Sequence, residues 1–292
     1  MIANQLYVKE TTQLKTASRS SIIARHSLLA YFILAYAISW SIEIPLGLSM
    51  RGIIQIQIPQ AIHYLASFGP LLAALIVCLT TQGMTGAGRL FSGLTRWRVE
   101  RSYLVFAILS PLVVFAAAVL ISRLLQGVWP DLSSLGQVDY LPPIGVLPAV
   151  GLWLLTYGFG EEMGWRGFAL PRLQENRSAF SASIILGVLW AGWHLPAFFY
   201  RDTYVAMGVL VVFQLLSVTA ASIIMTWLYN GTRGSLLMIV IFHGLFDFLA
   251  VSTAGGAYAA IIMSAMMVFW AVRVLNVYGK ENLAPVTRIS NS

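Results

Sequence analysis

The stretch "VLPAVGLWLLTYGFGEEMGWRG", from Val146 to Gly167, runs fifteen residues without an ionisable group and then places Glu161, Glu162 and Arg166 within six positions. Its first part reads as a helix crossing a bilayer. Its second part is costly at that depth: a charged side chain in mid-membrane costs roughly 2.5–3.5 kcal/mol, so such groups face a cavity or one another.

The rest of the chain has the same character. Of 292 residues, 58% are hydrophobic and 10% charged, with a mean hydropathy of +0.78. A soluble domain of this length needs far more polar surface. A helix needs about 20 apolar residues to cross the hydrocarbon core. Eight segments approach that, at 27–49, 61–80, 103–125, 146–165, 181–200, 205–229, 236–254 and 256–277, separated by turn-forming stretches such as "GMTGAGR", "DYLPPIG" and "NGTRGS". The expectation is an all-α polytopic membrane protein of about eight transmembrane helices. A polar N-terminal tail (1–26) would precede a bundle at 27–277, and a tail at 278–292 would follow it. The segment after the first tail is too long for a signal-peptide core, so it reads as a retained helix.

With the N-terminus inside, 15 Lys and Arg fall on one side, against Arg51, Arg123 and Arg201 on the other. The positive-inside rule then puts both termini in the cytoplasm. The same distribution argues against nucleic acid as the reason for the +7 net charge. The single Cys78 excludes a disulfide framework and a cysteine-based metal cluster. "NGT" at Asn230 matches a glycosylation sequon but reads as an Asn-Gly turn.

The ionisable groups read as lying at bilayer depth are Glu43, Glu161, Glu162, Arg166, His194, His243 and Asp247, and all but Glu43 lie between 161 and 247. Glu43 reads as an outer-interface residue near Pro45. Glu162 and Arg166 are four apart, acid first, the favoured order for pairing on one helix face. Glu161 is turned about 100° away, which leaves it to face another helix. "LWAGWHLPAFF" sets Trp190 four before His194, and "IVIFHGLFDFL" sets His243 four before Asp247. A carboxylate one turn from a histidine fixes its tautomer, or both bind one ligand. Taken singly, each pattern also fits plain helix packing.

There is no HExxH, no serine or cysteine in a nucleophile setting and no phosphate loop. What remains fits hydrolysis by either of two routes. Glu161 could act as general base on water with a histidine assisting. Alternatively His194, His243 and a carboxylate (Glu161 or Asp247) could hold a divalent metal such as zinc.

In order on successive helices, "EEMGWRG", "WAGWH" and "FHGLFDF" resemble the CPBP family, the CAAX-protease and bacteriocin-processing (Abi) family of intramembrane endopeptidases. The resemblance covers about 145–255. It implies that Glu161 activates water with His194, that Glu162 and Arg166 hold the architecture, and that His243 and Asp247 line the site and stabilise the oxyanion or a ligand. The chain departs from the family pattern at Trp190, often phenylalanine, and at Asp247, often asparagine. The family also implies a membrane-associated peptide or protein substrate, membrane lipid as a partner, and a cell-membrane site open to the cytoplasm. The rival reading is a non-catalytic scaffold or bacteriocin-immunity protein that keeps the motifs. A proton-relay transporter is disfavoured, since no half of the chain repeats. One geometric difficulty follows from the segment boundaries. Glu161 would lie about 8 Å from the cytoplasmic end of its helix and His194 about 20 Å from the same side, too far apart to converge.

Overall fold

All eight predicted segments are helical in the structure, a computed structural model that describes residues 22–137, 140–205, 208, 211–256 and 258–287. Most of the expected N-terminal tail (1–21) and the last five residues of the expected C-terminal tail lie outside the described residues. The helices are α1 (Ser27–Met50), α2 (Gly69–Ser92), α3 (Arg101–Gln126), α4 (146–174), α5 (Ala179–Trp193), α6 (Val211–Gly231), α7 (Leu236–Ala250) and α8 (Ala259–Asn282). No strand occurs among the described residues.

Among the described residues six helices are long and apolar enough to cross a membrane: α1, α2 with its lead-in, α3, α5 with the turn after it, α6 and α8. The other two expected spans differ in kind. α7 has only 15 residues. α4 is continuous but changes its winding, with π-helix at Leu154–Glu161 and Trp165–Ala169 around one α-turn at Glu162–Gly164.

The boundary of α4 corrects the sequence reading. The charges at 161–166 suggested a helix end near residue 165, whereas the helix continues to Gln174. They sit inside the bundle because partners on other helices satisfy them there. Glu161 is thereby nine residues deeper than expected, which removes the difficulty over its distance from His194. A second correction concerns "NGT". α6 runs through Asn230 and Gly231, and the turn is made afterwards by Arg233 and Gly234, both at positive φ. Asn230 is buried and donates to Gln174 and to the Asn282 carbonyl, tying α6 to α4 and α8.

The helices pack as neighbours α1 on α2, α5 on α6, α6 on α8 and α3 on α7, with α4 inserted between α2 and α7. Glycine permits that insertion. A Cβ on Gly164 would meet the backbone of Pro70 at 2.5 Å, and one on Gly158 would meet the Val240 carbonyl at 2.6 Å. Tyr31 of α1 closes the remaining side, with its ring 5.7 Å from Trp165 and 4.9 Å from Phe168. Serine caps start α5 and α7: the Ser178 and Ser235 hydroxyls accept from the amides of Ser181 and Met238. Outward-facing Leu109, Val113, Leu124, Phe269 and Val272 leave α3 and α8 apolar on their exposed faces, as lipid contact requires.

Candidate active site

α4, α5 and α7 bring all six expected residues into one region around Trp190. Glu162 Oε1 lies 2.7 Å from Arg166 Nη1, with both side chains fully buried. The i,i+4 pair survives although π-turns flank it, because residues 162–164 themselves wind as α-helix. The same Glu162 Oε1 lies 2.8 Å from His243 Nδ1. That contact is off the ring's N–H direction, so it is an ion-pair approach more than an aligned hydrogen bond. On its other side His243 Nε2 meets Asp247 Oδ2 at 3.2 Å. Two carboxylates thus face the two ring nitrogens. Carboxylate oxygens only accept, so the trio needs a proton on each nitrogen or on a carboxylate.

Glu161 takes a different set of partners. Its Oε2 accepts from the indole N–H of Trp190 at 2.7 Å and from that of Trp165 at 3.3 Å. The expectation that Glu161 turns away from Arg166 therefore agrees with the structure. Glu162 has a second partner that spacing does not announce: the oxygen paired with Arg166 also approaches His243. Sequence spacing cannot see this, because the contact is set by how far α7 approaches across Gly158.

His194 closes α5, and its Nδ1 lies 2.8 Å from the Trp190 carbonyl. A carbonyl only accepts, so Nδ1 carries the proton, and in the neutral ring Nε2 is left with a lone pair. Trp190 therefore joins the centre together. Its N–H reaches Glu161 and its carbonyl His194. The Arg166 guanidinium lies 4.4 Å from its ring centroid, and the His243 ring meets it edge-on at 5.2 Å. A guanidinium stacked on indole in a dry site gains roughly 2 kcal/mol. Read singly, the Trp190–His194 spacing also fits plain helix packing, which understates Trp190.

A second polar cluster stands beside the first. His63, ahead of α2, meets Tyr200 Oη through Nδ1 and Tyr157 Oη through Nε2, both at 2.7 Å. Tyr200 donates in turn to Glu43 Oε1 at 3.2 Å. Glu43 is thus a buried member of a network (3% exposed), not an interfacial residue. A small cavity of about 20 Å³ is lined by Glu43, His63, Tyr157, His194, Arg201 and Asp247 among others, so the two clusters share it. That is room for a water molecule. His63 stands at the edge of the 61–80 segment, where a lone histidine forms no pattern. Tyr157, Tyr200 and Arg201 carry no sequence signal, since tyrosine at a membrane edge is ordinary.

The cavity is bounded by the ends of α1 and α5 and the start of α2, at the arginine-poor end of the bundle. Trp165, Arg166 and Phe168, on the side of the site towards the arginine-rich end, are fully buried. A metal also fits poorly. Among the described residues no three His, Cys, Asp or Glu side chains converge as a metal site. Both ring nitrogens of His243 face carboxylates, so of the two candidate histidines only His194, through Nε2, keeps an imidazole lone pair to offer.

Residues 143–249 match the family model described as type II CAAX prenyl endopeptidase Rce1-like. A relative named CAAX prenyl protease 2, from Methanococcus maripaludis, is 37% identical over 106 residues, which is 35% of this chain. The chain spans 39% of that relative's length. Both matches support the resemblance to the CPBP family over the segment that holds α4 to α7.

Proposed function

We propose, from the premise that residues 143–249 form an Rce1-like CPBP segment, that the protein is an intramembrane endopeptidase acting on a membrane-associated protein or peptide. Prenylated CAAX-type and bacteriocin-like peptides are its first substrate candidates. The observation that carries this reading is the placement of Glu161. It is a buried carboxylate held on one oxygen by two indoles, joined through Trp190 to a histidine that lines a water-sized cavity.

In this mechanism Oε1 of Glu161 takes a proton from water as the water attacks the scissile carbonyl. His194 holds the same water through Nε2, since Nδ1 is fixed on the Trp190 carbonyl. The proton collected by Glu161 then passes to the leaving amine. Glu162 and Arg166 keep the acid, the indole and His243 in register. His243 with Asp247 lines the site, and the His243 Nε2 N–H becomes the donor to the developing oxyanion once it leaves the Asp247 carboxylate. No step is routed through a metal. The charge asymmetry supports a cell-membrane orientation with the arginine-rich end in the cytoplasm.

Glu161→Gln, purified in detergent beside the wild type, tests this. Cleavage of a prenylated CAAX peptide and of a panel of membrane peptides is followed by mass spectrometry. The wild type should cleave at least one of them, and the variant should lose at least about 100-fold while melting normally. A wild type inert on the whole panel, or a fully active Glu161→Gln, overturns the reading.

A further inference from the structure

At the arginine-rich end of the bundle lies a much larger cavity, of about 1110 Å³. Pockets that hold drug-sized ligands span roughly 300–1,000 Å³. Five arginines from separate parts of the chain line it: Arg89 on α2, Arg96 after α2, Arg172 in the last turn of α4, Arg177 before α5, and Arg233 in the α6–α7 turn. The one carboxylate on the lining is Glu175. None of the six candidate catalytic residues borders it.

The positive-inside rule accounts for arginines near this face. It does not require that they converge on one concavity, nor that their heads be held. Here three are held. Arg89 Nη2 donates to Gln82 Oε1 at 2.7 Å, and Arg96 Nη1 to the Arg233 carbonyl at 2.7 Å. Arg172 Nη1 donates to the Phe168 carbonyl at 2.8 Å, with its guanidinium 3.6 Å from the Phe168 ring centroid. Each guanidinium carries five N–H donors, so one tether fixes its direction and leaves most of its donors for a ligand. Arginine forks match phosphate oxygens in pairs. Leu28 at the start of α1 and Leu90 of α2 add apolar wall to the same cavity. Basic pockets between membrane helices on the cytoplasmic side are a known setting for anionic headgroups.

We infer that this cavity is a binding site for a phosphate anion, filled in the membrane by the headgroup of an anionic phospholipid. The phosphate sits among Arg89, Arg96, Arg172 and Arg233, and the glycerol end runs towards Leu28. Occupancy ties α2, α4 and the α6–α7 turn together, so the ligand stabilises the fold.

The test is thermal unfolding of the full chain in a neutral detergent, with added phosphatidylglycerol, phosphatidylcholine or inorganic phosphate. The wild type and the Arg89→Gln/Arg233→Gln double variant are compared. Phosphatidylglycerol should raise the wild-type midpoint, phosphatidylcholine should raise it less, and the double variant should lose at least half the shift. A comparable rise with inorganic phosphate, also lost in the variant, keeps the anion site and assigns it to free phosphate. No rise with either anion, or the same rise in the variant or with phosphatidylcholine, overturns the proposal. None of these outcomes depends on whether the protein cleaves a peptide.

Discussion

Trp190 donates its indole N–H to Glu161 Oε2 at 2.7 Å, while the carbonyl of the same residue meets His194 Nδ1 at 2.8 Å. The distance between the two groups assigned to water is thus fixed by one residue of α5. Trp190→Phe keeps the aromatic plate beside Arg166 and removes only the donor. A hydrogen bond to a charged group contributes about 1.5–3 kcal/mol, so kcat should fall about tenfold or more, with a stability loss no larger than that contribution. Unaltered turnover would show that the indole N–H has no part in catalysis.

Trp190→Ala removes the plate as well. Burying a large aromatic and then deleting it costs about 3–5 kcal/mol, and Arg166 loses its stack. Denaturation in mild detergent should show a stability loss of that order, well beyond that of Trp190→Phe.

The Glu162–Arg166 pair predicts strong coupling. Removing one partner leaves an uncompensated buried charge, at about 3–5 kcal/mol. Glu162→Gln and Arg166→Leu should each destabilise the protein heavily, and the double variant should lose clearly less than their sum. Additive losses in a double-mutant cycle would contradict the contact.

Cleavage should survive chelators. Both ring nitrogens of His243 face carboxylates, which takes the second imidazole from a His194–His243 metal site, so treatment with EDTA or phenanthroline should leave the rate within about twofold. Inhibition reversed by added zinc would show that His194, His243 and the carboxylates rearrange around a metal.

The Glu43 cluster gives a prediction at the other side of the cavity. Tyr157→Phe leaves His63 Nε2 without its partner in a buried place, and an unsatisfied buried group costs about 1–3 kcal/mol. His63→Leu with Tyr157→Phe should recover part of that loss. Equal melting temperatures for wild type and Tyr157→Phe would remove the network from the account.

Much of this was legible in the chain. Hydropathy located eight helical segments, and spacing alone paired Glu162 with Arg166 and His243 with Asp247. What hydropathy misjudged was the end of α4. A scale that counts Glu161, Glu162 and Arg166 as exits from the membrane cannot know that α5 and α7 will satisfy them. The missed residues share one physical reason. Tyr157, Tyr200 and His63 acquire meaning only through contacts between segments more than ninety residues apart, and no periodicity reports on those.

The π-wound half of α4 carries a consequence of its own. Tyr157 and Glu161 lie on the same wide-turned stretch, Leu154–Glu161, one facing His63 and the other Trp190. A π-turn holds more residues than an α-turn, so it behaves as a surplus residue spliced into an α-helix. Deleting one residue there would let the stretch rewind as α-helix, with the turns on either side near their present register. The wide turn is therefore where α4 could lose a residue with least disturbance to the two polar centres, whereas the same deletion in the α-wound part, Val146–Trp153, would rotate everything before it by about 100°.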